Sequence, residues 1–343
     1  MYAAVKRDTA LCRSVIGAFE GVTCTNAPEW GFFMLEKVYS AQLPVGEDLV
    51  IYRNRIACER PVGRIAIVSG IHGDELEGQY VCYEMIKRLE EQPEYLRGMV
   101  DIYPQLNPLG IDMARRNVPK MEMDMNRIFP GNAQGTVMER AAAAVVADIT
   151  GADICIDLHA SDMYVREIPQ VRVSAEFAQQ LLPFAKLLNA DMIWLNATAT
   201  VHESTLAHSM NMLGVPTLVM EMGLGLRITR LYGDQVVDGI FNLMREMGLW
   251  TGPVIPMRNP VISSDGEVEF IRAEHAGIFL PSIAHRHYLH KDEKIGEIVD
   301  ILTGKVVQEI VSRKGGMVFT LREYPFVYEG SLIARILERD MDW

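Results

Sequence analysis

The sequence predicts an α/β fold, with a mostly parallel or mixed sheet flanked by helices and a smaller C-terminal all-β domain. Two observations predict it. Through the first 250 residues, short apolar runs typical of buried strands alternate with segments of helical period. From residue 251, prolines and then short β-like runs separated by glycines replace that alternation. We therefore predict a larger domain over residues 1–250, without a clear pattern in its first 40 or so, and a β domain over residues 251–343.

The larger domain is expected to alternate strands with helices. The predicted strands are Asp48–Tyr52, Ile65–Val68, Met99–Leu106, Gly151–Leu158, Ala190–Leu195 and Val215–Met222. The predicted helices are a segment capped by Asp74, the segment Arg140–Ile149 opened by a capping box of Thr136 and Glu139, Ser174–Asn189, Ser204–Leu213 and Thr229–Met247. This alternation implies a mostly parallel sheet with helices on both faces.

The second domain begins after a proline-rich linker, Thr251–Pro260. Its predicted strands are Val268–Ile271, Gly277–Leu280, Gly296–Leu302, Lys305–Val311, Gly316–Leu321 and Ser331–Ile336. Helical periodicity is missing here, which predicts an all-β unit.

Composition favours a globular protein and excludes several classes of partner. Hydrophobic residues make up 49% and charged residues 23%, and the net charge of -12 disfavours nucleic acid. Five cysteines without a C-x-x-C pair indicate reduced thiols. No apolar run approaches the length of a membrane span, and charges interrupt the N-terminus where a signal peptide would be apolar. We expect a cytoplasmic protein that does not associate with membranes.

His72 and Glu75 lie on the turn between the strand Ile65–Val68 and the following helix. The carboxyl ends of strands are where open α/β sheets bind ligands. An imidazole and a carboxylate three residues apart can both reach one zinc ion, and a catalytic zinc generally has a third protein ligand and an open position. His-x-x-Glu alone is a weak signal, so the prediction depends on finding that third ligand.

The third ligand is predicted to be His159, at the end of the strand that contains Asp157. Alternation along a strand places both side chains on one side, and the strand end brings His159 to the same rim as His72. Asp157 is then a carboxylate that can fix an imidazole tautomer. The alternative is a structural histidine, the usual role of a single histidine at a strand end.

A long irregular stretch, Asn107–Gly131, follows the strand Met99–Leu106 at the same rim. Long structured loops in compact domains are usually functional. It contains Arg115, Arg116, Asn126 and Arg127, and guanidinium groups suit carboxylates. The alternative is a solvated charged loop, but several methionines make the stretch too apolar for that role.

Glu221 lies within an otherwise apolar strand. A carboxylate is costly to bury without a partner, and at the strand end it can face the predicted metal. With a pKa raised by its surroundings, Glu221 would suit the general base that takes a proton from water. The alternative is a strand-end glutamate in a salt bridge.

These motifs together resemble one known family. The pieces G-I-H-G-D-E, N-P-L-G followed by D-M-N-R-I-F-P-G, D-L-H and M-E-M-G occur in this order between about Leu43 and Gly225. As a set they resemble the succinylglutamate desuccinylase/aspartoacylase family of zinc amidohydrolases, relatives of the zinc carboxypeptidases. The resemblance implies a zinc hydrolase domain, with Arg116 polarising the scissile carbonyl and Asn126 and Arg127 holding the carboxylate of the amino-acid part.

The resemblance also implies one zinc per chain and a β domain that crowds the cleft. Arg115 and Tyr288 are weaker substrate-binding candidates. The arginines that could bind a charged acyl group are Arg166, Arg172, Arg227 and Arg230. The histidines between His285 and His290 are read as a solvated turn, and Lys305 lacks the context of a lipoyl or biotin attachment site.

The predicted activity is hydrolysis of a small N-acyl amino acid to a carboxylate and a free amine. A zinc carboxypeptidase or muramyl-peptide hydrolase is the first alternative, which the extra β domain disfavours. A non-catalytic metal-binding protein is the second, disfavoured because the complete ligand set and Glu221 are present. The predicted partner is a small molecule, and a homo-oligomer is left open.

Overall fold

The structure is a computed structural model that describes residues 32–44, 46–196, 203–264 and 267–338. Cys12, Cys24 and the predictions made for the N-terminus lie outside these ranges. In the described part of the chain, no helix is both long and apolar enough to cross a membrane.

The described chain contains two sheets. Its strands are β1 (Phe32–Gln42), β2 (Asp48–Ala57), β3 (Arg64–Ser69), β4 (Met99–Tyr103), β5 (Ile154–Ala160), β6 (Val165–Ser174), β7 (Met192–Asn196), β8 (Thr217–Gly223), β9 (Val261–Ser264), β10 (Val268–Arg272), β11 (Gly277–Pro281), β12 (Tyr288–Leu289), β13 (Lys294–Asp300), β14 (Lys305–Val311), β15 (Gly316–Arg322), β16 (Phe326–Val327) and β17 (Leu332–Glu338). The larger sheet has the order β1-β2-β4-β3-β5-β8-β6-β15-β17-β10. Three further strands join it outside this order: β7 pairs with β6 and with β9, and β12 pairs with β15. The smaller sheet has the order β14-β13-β11-β16.

The larger sheet is mixed. Strands β4, β3, β5 and β8 run parallel to one another, whereas β2 and β6 are antiparallel to their neighbours β4 and β8. The predicted fold class, an α/β sheet with a C-terminal all-β region, is confirmed. The C-terminal strands divide between the two sheets, because β15 pairs with β6 and continues the larger sheet.

Helices follow the strands on both faces of the sheet. They are α1 (Glu77–Glu91), α2 (Pro108–Asp112), α3 (Val137–Ile149), α4 (Ala178–Ala185), α5 (Leu206–Met212) and α6 (Arg230–Glu246). Thr136 and Glu139 form the predicted capping box at the start of α3. The prediction that Asp74 caps α1 is wrong: the N-cap residue is Leu76, without a side-chain cap bond, because the turn continues through Glu75 before the helix begins.

The core lies on both faces of the larger sheet. Along β3, Ile65 and Ile67 pack into one apolar cluster with α1 and α6, while Ala66 and Val68 pack into the other with α3. This division follows from the two-residue side-chain period of a strand. The loops at the carboxyl ends of β3, β4 and β5 are therefore held on a rigid, fully buried support.

Strand β6 was not predicted. Its sequence contains Pro169 and the charged residues Arg166, Glu167 and Arg172, so it lacks the apolar run that identified the other strands. The prediction of a helix from Ser174 is correspondingly wrong at its start, because Ser174 ends β6 and α4 begins at Ala178. The predicted strand Met99–Leu106 ends earlier, at Tyr103, since Pro104 has no backbone N–H for the ladder.

Candidate active site

His72 and Glu75 lie on the turn between β3 and α1, as predicted. The turn is packed tightly against α2: a Cβ at Gly73 would lie 1.9 Å from the carbonyl carbon of Gly110, so this position requires glycine. The Glu75 carboxylate then points back over the end of the sheet, where its Oε1 lies 2.7 Å from His72 Nδ1. Both side chains are almost fully buried, at 3% and 5% exposure.

His159, near the end of β5, completes this group. Its Nδ1 lies 2.8 Å from Glu75 Oε2, and the backbone N–H of Ala160 donates a hydrogen bond to the same oxygen at 3.1 Å. One ligand atom from each of His72, Glu75 and His159 lies within 4.8 Å of the others. The three residues could therefore hold one metal ion, although the sequence separates them by up to 87 positions.

The electrostatics of this group favour a cation. Burial on its own would lower the pKa of His72, but Glu75 and Asp124 outweigh it and raise that pKa. The pKa of His159 is also raised, because Asp157 and Glu75 outweigh burial. The imidazoles in turn hold the pKa of Glu75 well below its usual range, against the effect of burial. The field that favours protons on both rings would also favour a divalent ion.

A carboxylate lies behind each imidazole. His72 Nε2 lies 3.1 Å from Asp124 Oδ1, and His159 Nε2 lies 3.2 Å from Asp157 Oδ2. Both Nδ1 atoms therefore face Glu75, while both Nε2 atoms face outer carboxylates. Metal-binding histidines generally have such a partner, which fixes the tautomer and leaves the other nitrogen as the ligand. The residues present fit a zinc site of two nitrogen ligands and one carboxylate.

Glu221 is placed next to this group by the strand register. His159 on β5 pairs with Glu221 on the parallel strand β8, so both side chains emerge on the same face of the sheet. Burial raises the pKa of Glu221 to about 7, although Arg172 and His159 act in the opposite direction. Arg172 Nη1 lies 3.2 Å from Glu221 Oε1.

Arg116 reaches the group from the loop after α2. Its backbone carbonyl accepts hydrogen bonds from Gly73 N at 3.4 Å and from Asn107 Nδ2 at 3.3 Å, which fixes the loop over the turn. Its guanidinium lies 3.1 Å from Glu75 Oε1 and 3.4 Å from Asp124 Oδ2. The side chain is 42% exposed, so it contacts the ligand group and is also accessible to solvent.

Asn126 and Arg127 lie further along the same stretch, in a short 3-10 turn that Asp124 caps. Asn126 Oδ1 accepts a hydrogen bond from Leu206 N at the start of α5, so its Nδ2 is the part that can donate to a substrate. Arg127 Nη1 donates to the Asn126 carbonyl at 2.8 Å. Two adjacent donors therefore line the same cavity as the ligand group.

One cavity of about 500 Å³ connects these residues. The predicted residues that line it are His72, Glu75, Arg116, Asn126, Arg127, Asp157, His159 and Glu221. Arg115 and Tyr288 are not among its lining residues: Arg115 is exposed and 3.9 Å from Glu122, and Tyr288 lies on β12 opposite Met317. Of the four arginines considered for an acyl group, only Arg172 lines the cavity.

The cavity also contains residues that the sequence did not indicate. Glu167 comes from the unpredicted strand β6, and Arg322, Leu332 and Arg335 come from β15 and β17. Arg172, on the same strand as Glu167, was indicated by the sequence only as a candidate for binding an acyl group. Asp124 was available in the quoted motif, although Glu122, two residues earlier, is also flanked by methionines and the sequence did not distinguish the two carboxylates. No local signal pointed to Arg335, because the carboxylate it pairs with, Glu167, is 168 residues away in sequence.

The histidines of the C-terminal region do not assemble a second site. His285 is held between the Tyr232 hydroxyl, 2.9 Å from its Nδ1, and the carbonyl of Phe319, 3.1 Å from its Nε2. His287 pairs with Glu293 at 2.7 Å. Over the described residues, the one group of histidine, cysteine and carboxylate ligands close enough for a metal is the group formed by His72, Glu75 and His159.

Comparisons with known proteins agree with this geometry. Residues 61–247 match the catalytic-domain model of succinylglutamate desuccinylases and aspartoacylases. The chain is 27% identical over 284 residues to N-alpha-acetyl-L-2,4-diaminobutyric acid deacetylase from Halomonas elongata. The matched region covers 79% of this chain and 81% of that protein.

Solved structures share the fold. A succinylglutamate desuccinylase/aspartoacylase from Rhodobacter sphaeroides has a TM-score of 0.75 at 22% identity, over 90% of this chain and 96% of that chain. The product-bound ectoine utilization protein EutE (DoeB) from Ruegeria pomeroyi has a TM-score of 0.76 at 20% identity, over 92% and 98% of the two chains. At these identities, the likeness establishes the architecture alone.

Proposed function

Because the chain belongs to the succinylglutamate desuccinylase/aspartoacylase family, we propose that it hydrolyses the amide bond of a small N-acyl amino acid. The products are a carboxylate and a free amine. The observation that carries the proposal is the meeting, in one cavity, of a buried His-Glu-His group, a carboxylate beside it and a pair of donors for a substrate carboxylate. The deacetylase relative from Halomonas elongata supports an acyl amino acid as the substrate class.

His72, Glu75 and His159 would hold one zinc ion per chain, since two imidazole nitrogens and a carboxylate suit zinc. When bound, zinc supplies Lewis-acid polarisation of the amide carbonyl and lowers the pKa of water. Asp124 and Asp157 keep the two rings oriented by holding their Nε2 atoms.

The side chains around this group would carry out the rest of the reaction. Asn126 and Arg127 bind the carboxylate of the amino-acid part and so bring the amide to Glu221, which supplies much of the rate enhancement. Arg116 donates hydrogen bonds to the carbonyl oxygen as negative charge develops on it. Glu221 takes a proton from the attacking water as the O–C bond forms, and delivers it to the nitrogen as the C–N bond breaks.

We also propose that residues 251–343 cap the cleft of a catalytic domain formed by residues 1–250. Arg322, Leu332 and Arg335 line the cavity, which supports a role in restricting its size. Such a wall would exclude long peptides, in contrast to a carboxypeptidase. A cytoplasmic location and a homo-oligomer stay predictions.

The test is amine release by the zinc-loaded protein from N-acetyl, N-succinyl and longer N-acyl amino acids, with short peptides alongside. N-alpha-acetyl-2,4-diaminobutyrate belongs in the panel because the relative is named for it. Cleavage of an acyl amino acid with peptides untouched is the expected result. Cleavage of peptides alone would establish the carboxypeptidase alternative, and no cleavage of either class would contradict the proposal.

A further inference from the structure

We propose that Arg172 is a positioning residue that sets the orientation of the Glu221 carboxylate, and that Glu167 and Arg335 hold Arg172 in place. The inference rests on the proposed function, because it assumes that Glu221 is the general base. It adds to that function a requirement for a C-terminal strand, β17, in the alignment of the base.

Arg172 connects two carboxylates. Its Nη1 lies 3.2 Å from Glu221 Oε1, and its Nη2 lies 2.9 Å from Glu167 Oε2. The guanidinium is planar and rigid, so a group that spans two carboxylates fixes their separation as well as their orientation. A lysine ammonium in the same place would supply charge without this fixed geometry.

Glu167 is held on its other side by the C-terminal strands. Its Oε1 forms an ion pair with Arg335 Nη1 on β17 and accepts a hydrogen bond from Thr320 Oγ1 on β15 at 3.3 Å. The Glu167 side chain is 1% exposed, and a buried carboxylate with these partners has little freedom to move. Arg335 is therefore linked to Glu221 through three consecutive ion pairs, by way of Glu167 and Arg172.

Trp194 on β7 supports both guanidinium groups. The central carbon of Arg172 lies 5.6 Å from the centre of the indole ring, and that of Arg335 lies 5.5 Å from it. Phe270 on β10 lies under Arg335 as well, at 5.6 Å. Stacking on aromatic rings restricts the plane of each guanidinium, which is an interaction that lysine does not reproduce equally.

The formal charges of this network cancel. Arg172 and Arg335 contribute two positive charges, and Glu167 and Glu221 contribute two negative charges. Among the residues that the structure describes, Arg172 is the cationic side chain in ion-pair contact with Glu221. The register with His159 fixes the backbone of Glu221, but three rotatable bonds separate its backbone from its carboxylate. Arg172 supplies the remaining restraint, and a base must be aligned with the proton it takes.

The test compares Arg172→Lys with a matched control on the same strand, Arg166→Lys. Arg166 pairs with Glu323 and Thr229 and does not line the cavity. With the best substrate of the acyl amino acid panel, we expect kcat of Arg172→Lys to fall by about 10- to 100-fold, because a small misplacement of a catalytic group has effects of this size. KM and the zinc content should change less than about threefold, and Arg166→Lys should match the wild type within about twofold.

A second variant tests the link to β17. Arg335→Lys should lower kcat in the same direction by a smaller factor, and the double variant Arg172→Lys/Arg335→Lys should be no slower than Arg172→Lys alone. Residues that act through one another are non-additive in this way, whereas two independent structural contributions would multiply. Multiplying losses would overturn the role of Arg335.

Crystal structures give a readout that does not depend on turnover. In Arg172→Lys, the Glu221 carboxylate should occupy more than one orientation, whereas Arg166→Lys should retain one. An unchanged kcat in Arg172→Lys, or a raised KM with unchanged kcat, would overturn the inference, since the latter result indicates substrate binding by Arg172. Glu221→Gln is measured in parallel: if that variant is active, the assignment of the base fails, and if it is inactive while Arg172→Lys is fully active, only the positioning role fails.

Discussion

Two carboxylates in the same sheet, the fully buried Asp101 and the partly buried Glu221, have opposite surroundings. Asp101 on β4 is fully buried, and the side chains of Arg55 and Arg64 lie 2.7 Å and 2.6 Å from its oxygens, with Arg53 at 3.7 Å. Burial would raise the pKa of Asp101, but these arginines outweigh it and lower that pKa. None of these four residues lines the cavity.

Glu221 has one guanidinium contact where Asp101 has three, and its pKa is raised to about 7. It also faces the cavity beside His159. A buried carboxylate that is surrounded by cations contributes to the fold, whereas one with fewer cationic partners, at a cavity wall, is suited to proton transfer. The number of partners and the access to the cavity distinguish the two roles, although both residues are acidic side chains in strands.

The largest expected effect is that of Glu221→Gln. Amine release should fall by about 10²- to 10⁴-fold, because the amide cannot accept the proton of the attacking water. Zinc content and melting temperature should stay close to those of the wild type, since His72, Glu75 and His159 are unchanged. Steady-state kinetics with metal analysis checks this, and a variant with wild-type activity would remove Glu221 as the base.

Asp101→Asn should have the converse effect, which is a loss of stability without a loss of activity. Removing the carboxylate charge leaves three arginines with an incomplete partner, so the free energy of unfolding should fall by about 3–5 kcal/mol. The kcat of the folded fraction should be unchanged, because Asp101 does not line the cavity. Denaturant unfolding and active-site titration measure the two quantities. A loss of kcat without a loss of stability would contradict the distinction between the two carboxylates.

Arg115 and Arg116 are adjacent, but only Arg116 lines the cavity, so a comparison of the two shows whether access to the cavity determines a role in the reaction. Arg116→Ala should lower kcat/KM by about 10²-fold, because a donor to the developing negative charge is lost. Arg115→Ala should remain within about twofold of the wild type, as substitutions at exposed positions generally do. Kinetics of both variants on one substrate checks this, and equal losses would show that Arg115 also acts in the reaction.

His285 should show a modest pH effect on stability. Burial lowers its pKa to about 4, with the positive charges of Arg166 and Arg286 adding to this and Glu323 opposing it. Between pH 6.5 and 4, the unfolded chain therefore binds a proton that the folded chain does not. The stabilisation is complete above about pH 6.5 and is lost as the pH falls towards 4, by about 1–3 kcal/mol in total.

His285→Gln is the matched variant for that effect. The glutamine amide can accept from the Tyr232 hydroxyl and donate to the Phe319 carbonyl, as the neutral imidazole does, but it does not titrate. The variant should lose less stability than the wild type between pH 6.5 and 4. Parallel slopes in denaturant unfolding across that range would show that His285 does not contribute.

The sequence predicted those parts of the site that follow from short spacings along the chain or from the two-residue side-chain period of a single strand. His72 and Glu75 are three residues apart on a turn, and His159 is the penultimate residue of a strand of seven buried residues. Apolar runs such as β3, β5 and β8 identify the strands, and parallel strands bring their carboxyl ends to one rim. The family resemblance added roles for Arg116, Asn126 and Arg127, and the structure places these three in the cavity.

The remaining part depends on contacts between distant segments. Strand β6 contains charges because Glu167 and Arg172 are neutralised by Arg335 and Glu221, and a local pattern contains no information about those partners. The wrong prediction for Asp74 has a different cause. Asp74 is a favourable residue type for a helix cap, but the turn continues beyond it and the helix begins only at Glu77. The position of Tyr288 outside the cavity lining also follows from pairing with β15, which is a tertiary contact.

The most direct test of a metal-dependent deacylase is a zinc titration of the metal-free protein, with bound zinc and amine release measured in the same samples. Activity should rise in proportion to bound zinc and reach its maximum at one ion per chain, and His159→Ala should remain low in both quantities because one of the three ligands is missing. Full amine release by the metal-free protein would contradict the account, as would maximal zinc binding in His159→Ala.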